Sequence, residues 1–257
     1  MSEEWRLINL EVNDAYLNMA IDEALYRLRS QGKAPNTLRL YRWNPSAVSI
    51  GYFQILEQEV SIEACTQLGV DIIRRMTGGG AVYHSYEGEI TYSIIVDQAH
   101  PKIPNDIIQS YEKLCQGLII ALQTLNLPAE FKPINDIEVN GKKISGNAQT
   151  RRRGIVVQHG TLLLDTDIRT MFQLLKVPKE KISDKLVKSV EDRVTTIRRE
   201  IGYVDANEVE QALIQGFSKA LDVTLVPGQL SAKERQLANQ LKTEKYSQSH
   251  WTFQRPI

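Results

Sequence analysis

Arg74-Arg75-Met76-Thr77-Gly78-Gly79-Gly80-Ala81-Val82-Tyr83-His84 is the most informative stretch of the chain. Three successive glycines let the backbone come close to a ligand and present N–H donors to it, while Arg74 and Arg75 add positive charge at the mouth of the turn. No Gly-Lys-Ser/Thr follows, and the spacing is not Gly-x-Gly-x-x-Gly, so neither a P-loop nor a dinucleotide-binding turn is present. A glycine triplet alone is as often a hairpin turn as a site. The flanking arginines and His84 point to a site for a negatively charged group.

Working outward toward the N-terminus, Val70 to Arg75 reads as a strand, entered from a short helix over Ser61 to Leu68 that ends at Gly69. Thr37 to Trp43 and Ala47 to Gln54 are β-rich runs separated by Asn44-Pro45-Ser46, and they are expected to pair. Asn13 to Arg29 sets Leu17, Ile21, Ala24, Leu25 and Leu28 on one helical face, with Asn13 or Asp14 as its cap. Toward the C-terminus, Tyr83 to Val96 resumes strand chemistry. Asp106 to Leu125 repeats Ile107, Tyr111, Leu114, Cys115, Leu118 and Leu122 at helical spacing, and Pro128 stops it. Three strand-like pieces follow, Phe131 to Val139, Lys143 to Gln149 and Gly154 to Leu164, with a turn at Asn140-Gly141. Beyond Asp165 helical patterns dominate, with capping-box signatures at Asp205 to Glu208 and Ser231 to Glu234. Strand clusters interleaved with covering helices predict an α+β fold, a mixed β-sheet core flanked by helices.

The 257 residues carry 31 Lys+Arg against 31 Asp+Glu, so bulk charge offers no drive toward nucleic acid or a membrane surface, and neither is expected as a partner. Any anion site must be local. Cys65 and Cys115 are too few for a disulfide framework, and the opening Met1-Ser2-Glu3-Glu4 is acidic where a secretory signal is basic. With no apolar run near the roughly 18 residues of a membrane span, a cytoplasmic protein is expected.

A second cluster joins Asn135-Asp136-Ile137 to Asn140-Gly141-Lys142-Lys143-Ile144-Ser145-Gly146-Asn147. From Lys142 to Arg153 there are five cations and no carboxylate. A lysine on a strand beside glycine can set its ammonium against a developing negative charge in acyl or phosphoryl transfer. Lys142 and Lys143 alternate across a strand, so one of them faces a pocket and the other solvent. Asp136 could hold a Mg²⁺ that travels with ATP phosphates, since Mg²⁺ keeps most of its waters. Gln158-His159-Gly160-Thr161 puts a histidine inside a β-rich run, where a satisfied sheet residue is commoner than a catalyst. The four histidines are too scattered for structural zinc. Cys65 and Cys115 fall in helical patterns and read as small hydrophobes rather than nucleophiles. Arg151-Arg152-Arg153 reads as a solvated loop that could also dock an acidic partner.

Together the two clusters resemble the lipoate protein ligase family, through its glycine-rich motif at Arg75 to His84 and its Asn-Asp-Ile and Gly-Lys-Lys-Ile-x-Gly loop at Asn135 to Gln149. The resemblance continues in Asn18-Met19-Ala20-Ile21-Asp22-Glu23, in Gln158-His159-Gly160-Thr161-Leu162-Leu163, and in Lys188-Ser189-Val190 with Arg193-Val194-Thr195, so it spans roughly residues 5 to 200. It implies the catalytic fold shared by biotin and lipoate protein ligases over residues 1–204, with 205–257 as a helical C-terminal extension too short for a full accessory domain. It also implies ATP-dependent conversion of lipoate to lipoyl-AMP and transfer to a lysine of a lipoyl domain, in a dehydrogenase complex or glycine-cleavage H protein, with a separate accessory subunit as a partner in bipartite members. Under that resemblance Lys143 is the catalytic lysine. Arg75, Gly79, Gly80, Ala81, Val82, Tyr83, Asn135 and Asp136 face the nucleotide, Asp136 also Mg²⁺. His84, Gly146, His159, Gly160 and Lys143 face the acyl substrate. Octanoyltransferases of the same fold are also similar, and they work through a cysteine in the loop before the Gly-Lys segment. Phe131 to Asn140 has no cysteine, so the ligase is the expectation, ahead of a carrier-to-carrier octanoyl or lipoyl transferase and a silent lipoate- or carrier-binding protein.

Overall fold

The structure, a computed structural model, describes residues 2–176, 193–203 and 205–254. The chain opens with β1 (Glu3–Asn13), α1 (Ala15–Arg29), β2 (Thr37–Trp43) and β3 (Ala47–Ile50), followed by α2 (Leu56–Glu59), α3 (Ile62–Gln67) and β4 (Asp71–Arg74). After the glycines come β5 (Val82–His84), β6 (Glu89–Asp97), α4 (Ile107–Thr124), β7 (Ala129–Lys132), β8 (Asp136–Val139), β9 (Lys142–Arg152) and β10 (Ile155–Leu163). The remainder holds α5 (Ile168–Leu174), α6 (Ile197–Ile201), α7 (Ala206–Leu221), β11 (Val223–Pro227), α8 (Ala232–Leu241), a π turn over Lys242–Tyr246 and α9 (Ser249–Phe253). Lys188-Ser189-Val190 lies outside the described residues.

Eight strands form one mixed sheet in the order β11-β1-β2-β6-β10-β9-β8-β7, and β4-β3-β5 form a small second sheet. The expected pairing of the runs around Asn44-Pro45-Ser46 does not occur. Both edges of β2 are taken, by β1 and β6, and the chain leaves the main sheet at the turn so that β3 pairs with β4 and β5. The strand expected over Phe131 to Val139 is two strands folded on each other, and Tyr83 to Val96 is likewise broken, into β5 and β6. Asn140 and Gly141, with φ of 52° and 75°, make the tight β8–β9 turn that Asn-Gly favours. The helical C-terminal third also carries β11, which extends the sheet beside β1. Val223 to Val226 is too short a run to announce itself against the helices around it.

Period-two alternation in β2 divides the core between the faces of the sheet. Leu38 and Leu40 join Tyr92, Ile94 and Val156 under α4 and α7, while Tyr41 and Trp43 join Ile95 and Val157 under α1, α8 and Tyr246. Asp14 and Asp106 cap α1 and α4 through their carboxylates, and Ser231 with Glu234 completes a capping box on α8. At Asp205 only half of the expected box exists, the carboxylate accepting from the Asn207 N–H. Burial along α4 begins at Ser110, so Ile107, expected on the apolar stripe, is 56 % exposed. No helix among the described residues is long and apolar enough to cross a membrane.

Phe217 locks α7 to α4. Its ring is fully buried, lies tilted against Tyr92 at 4.8 Å, and occupies the space over Gly117 where a Cβ would come within 2.2 Å of it. Phe217→Ala removes a buried ring at the join of helix, helix and sheet, and should lower the unfolding free energy by about 3–5 kcal/mol in denaturant titrations. A loss below about 1 kcal/mol would mean that α7 is not part of the cooperative core.

Candidate active site

The glycine motif and the Gly-Lys loop, some sixty residues apart in sequence, meet across one cleft. At its open end stand the exposed Gly79 and Gly80, Lys143 on β9 and Asn135. Toward its buried end it is walled by Met19 from α1, Tyr41 and Trp43 from β2, and Thr91 from β6, none more than 2 % exposed. His84, stacked on Trp43 at 4.0 Å, closes that side. The cleft is thus cationic and wet at its mouth, and narrow, apolar and aromatic within.

Arg75 lies at its centre and is 4 % exposed. Among the described residues no carboxylate forms an ion pair with it. Its Nη2 donates to the Gly78 and Gly80 carbonyls, each at 2.7 Å, and its Nη1 to the Ser49 carbonyl and hydroxyl at 3.1 and 3.2 Å. Burial lowers it to about 10, which still leaves it charged at neutral pH. A buried guanidinium without a carboxylate is costly, and it favours any negative charge that forms beside it. The fold of the glycine loop depends on this contact. Gly79 sits at φ 95° with Arg75 Nη2 only 2.9 Å from where a Cβ would be, and its carbonyl lies 2.0 Å from the corresponding position on Gly51. Side chains at either residue would push the loop off the arginine.

Two hydrogen-bond relays leave Arg75, whose guanidinium can only donate, and end on Asp22 and Glu89, carboxylates that take up each imidazole's Nδ1–H and leave its Nε2 to accept. Nε–H donates to Thr77 Oγ1 at 3.1 Å, so the Thr77 hydroxyl donates onward to His159 Nε2 at 2.6 Å, and the imidazole carries its proton on Nδ1, facing Asp22 at 3.4 Å. Nη1–H donates to Ser49 Oγ, whose hydroxyl donates to His84 Nε2 at 2.8 Å, and His84 Nδ1–H donates to Glu89 at 2.8 Å. Burial lowers the His159 pKa, in line with a neutral ring. Burial alone would raise Asp22, but hydrogen bonds from His159 and Ser93 and the Arg39 charge together bring it below the ordinary carboxylate value.

The structure brings Arg75, Gly79, Gly80, Ala81, Val82, His84, Asn135, Lys143, Gly146, His159 and Gly160 to the cleft wall. Two expected residues are elsewhere. Tyr83 alternates to the far face of β5 and is buried in the core of the small sheet, so its side chain meets no ligand in the cleft. Asp136 stands behind the wall, where its Oδ1 accepts from Lys143 Nζ at 2.7 Å. Lys142 lines no part of the cleft, in keeping with alternation along β9. Ser49, Trp43 and Thr91 were not legible as site residues. They come from strands distant in sequence, and only the pairing of β2 with β6 and of β3 with β4 and β5 brings them to one cleft. Among the described residues no three His, Cys, Asp or Glu groups converge as a metal site. Neither thiol reaches the cleft, and burial pushes Cys65 up to about 11 and Cys115 up to about 12.

Comparison with known proteins gives these residues their context. The family described as the lipoyl protein ligase A/B catalytic domain matches residues 14–218. The chain belongs to that family. Octanoyltransferase LipM of Kyrpidia tusciae is 38 % identical, covering 98 % of this chain and all of the relative, and that of Brevibacillus brevis is 35 % identical over the same shares. A chain from the structural analysis of a bi-partite lipoate protein ligase and its E2 lipoyl domain from Thermoplasma acidophilum superposes with a TM-score of 0.89 at 33 % identity, covering 100 % of this chain and 98 % of that one. The mixed-sheet catalytic fold of lipoate ligases is therefore the fold of this enzyme.

These full-length relatives overturn the ATP-dependent lipoate ligase expected from the motifs. With it go lipoyl-AMP, ATP and the reason for a Mg²⁺ on Asp136. The physical reason lies in what the motifs do. A glycine turn with an arginine and a lysine favours charge on an acyl oxygen whether the leaving group is AMP or a thiol, so the motifs do not distinguish the two. The missing loop cysteine was weighed as evidence for a ligase, but a thioester is already an activated acyl donor and an amine can attack it without an enzyme nucleophile.

The neutral His159 makes a prediction with a definite sign. Its folded pKa lies below the ordinary 6.5, so the unfolded chain binds a proton that the folded chain does not, and stability is full above 6.5 and falls as pH drops below it. Melting temperature should decline in wild type between the imidazole and carboxylate ranges, and decline less in His159→Gln. Asp22 acts only at lower pH, through its own lowered value. Parallel curves for the two proteins across that window would show that His159 is not buried neutral.

Proposed function

We propose that the chain is a carrier-to-carrier acyltransferase, moving an octanoyl or lipoyl group from a thioester on a carrier protein to the ε-amine of a lysine on a lipoyl domain, without ATP. The observation that carries this is the cleft itself, walled by buried aromatic and apolar side chains, with the Lys143 cation at its mouth and the buried Arg75 behind it, in a chain aligned end to end with octanoyltransferases. The acyl tail lies toward Trp43 and His84, and its carbonyl rests at the mouth between Lys143, Arg75 and the Gly79–Gly80 backbone. The acceptor amine adds to that carbonyl, the oxygen takes up negative charge against Lys143 and Arg75, and the C–S bond breaks. The amide forms as the amine's surplus proton leaves with the sulfur as a free carrier thiol.

Lys143 is the group held closest to the entering carbonyl that is still free to adjust. Its side chain is 41 % exposed and is tethered by Asp136, a partly solvated pair that orients more than it stabilises. Direct attack by the acceptor needs no thiolate from the enzyme. Cys65 and Cys115, buried and outside the cleft, supply none.

Purified chain mixed with an octanoylated carrier protein and a lipoyl domain, with no nucleotide, should give the octanoylated domain by mass spectrometry. Free octanoate with Mg-ATP in place of the thioester should give none. Product only in the second mixture would overturn the proposal. Lys143→Ala should lower kcat for the thioester by about 10²-fold, the loss expected for one transition-state charge contact. The Cys65→Ala/Cys115→Ala protein, if folded, should transfer at the wild-type rate, and loss of transfer in a folded double variant would place the chemistry on a thiol.

A further inference from the structure

Two of the exposed large hydrophobic side chains stand at the mouth of the cleft, and two more at the entrance of α4. Phe53 is 61 % exposed and lies 3.9 Å from the Cβ position of Gly78 at the start of the glycine turn. Ile134, 62 % exposed, directly precedes Asn135 of the cleft wall, whose side chain donates to the Asn147 carbonyl. Ile107 and Ile108 are exposed in the first turn of α4, directly after the Pro104 and Asn105 carbonyls that Arg151 reaches from the end of β9. Isolated exposed hydrophobics are ordinary, but several gathered about one opening mark an interaction surface.

Cations join these apolar groups into a rim. Arg151 donates to the Pro104 and Asn105 carbonyls at 2.8 and 2.7 Å, tying the end of β9 to the entrance of α4. Arg152 lies 4.8 Å over the Tyr52 ring, which packs edge-on to Phe53 at 5.0 Å. Arg153, at φ 50°, occupies the exposed turn beyond them. Among the described residues no carboxylate forms an ion pair with any of the three arginines. Asp106, the acid beside Arg151, spends a carboxylate oxygen on the Gln109 N–H at the cap of α4. In a chain of zero net charge this basic block, with Asp106 as the acid near Arg151, reaches the cleft mouth through the Arg152–Tyr52–Phe53 contacts.

We propose that this rim docks the acidic face of the donor, the carrier protein that brings the acyl thioester, with the apolar side chains covering the base of its tether. This rests on the transferase reading. Charge decides for the donor over the acceptor. The donor presents a neutral thioester on its own body, and an acidic body is drawn to the rim, whereas the acceptor must bring a lysine, a cation that the three arginines repel.

Binding tests this independently of catalysis. A fluorescently labelled acidic acyl carrier protein, bearing octanoyl through a non-transferable amide, is titrated with wild type and with Arg152→Glu/Arg153→Glu, and a lipoyl domain is titrated in parallel. The double reversal should weaken carrier binding by about tenfold or more and remove most of its salt dependence, leaving lipoyl-domain binding within about twofold. Ile107→Gln, on an exposed helix surface, should weaken carrier binding about threefold. Turnover of octanoyl-pantetheine, which has no protein body, should match wild type in both variants. Equal carrier binding by wild type and the double reversal, no carrier binding by wild type, or a loss confined to the lipoyl domain would each overturn the proposal. Carrier binding that responds as expected while wild type transfers nothing from either donor would keep the docking surface and reject the transferase reading.

Discussion

The cleft is organised by one buried carboxylate. Asp22, in the middle of α1 and 1 % exposed, accepts from Arg39 Nη1 at 3.1 Å, Ser93 Oγ at 2.8 Å, Tyr41 Oη at 3.3 Å and His159 Nδ1 at 3.4 Å. Its partners come from β2, β6 and β10, three adjacent strands of the main sheet, so the acid fixes the helix over the sheet at one position and one rotation. A buried charge tolerates only this degree of satisfaction, since loss of any donor leaves desolvation uncompensated. Through His159 and Thr77 the same carboxylate sets the Nε of Arg75, and through Arg75 it sets the carbonyls of the glycine turn. The mirror relay through Ser49, His84 and Glu89 holds the other side of the guanidinium. The arginine at the cleft's centre is therefore preorganised, which is the condition for stabilising charge in a transition state without paying for reorganisation.

Much of this was legible in the sequence, and the failures have physical causes. Helices announced themselves through periodicity and caps, as Asp14, Asp106 and Ser231 show. The glycine turn and Lys143 stood out because few folds place such residues together without a ligand. Strand partnership was illegible. Nothing in Thr37 to Trp43 says that β1 and β6 will occupy both its edges and send Ala47 to Ile50 to another sheet. For the same reason Trp43, Ser49 and Thr91 could not be joined to the site, because their common address is created by pairing. Asp22 was quoted within a motif, but its role as an anchor becomes visible only when four distant donors converge on it. A motif carries no face, whereas a strand does, and β5 turns the Tyr83 side chain into the core of the small sheet.

The motifs misled about the reaction for a related reason. Residues that stabilise an acyl oxyanion report on the transition state and say little about how the acyl group was activated. A nucleotide or a carrier thioester can both deliver an acyl carbonyl to Lys143. What would separate them lies around the cleft and in the leaving group: an acidic carrier body calls for a basic rim, and among the described residues Arg151 to Arg153 form no ion pair with a carboxylate. The two thiols are held high by burial and turned into helix packing, so in the proposed reaction the acyl group passes from sulfur to nitrogen in one bound complex.

That direct passage is the central claim, and initial velocities test it. With octanoylated carrier protein and lipoyl domain varied against each other, and with the enzyme recovered from a mixture lacking the acceptor for intact-mass measurement, direct transfer predicts intersecting double-reciprocal lines and an enzyme of unchanged mass. Parallel lines together with an octanoyl group covalently attached to the chain would contradict it.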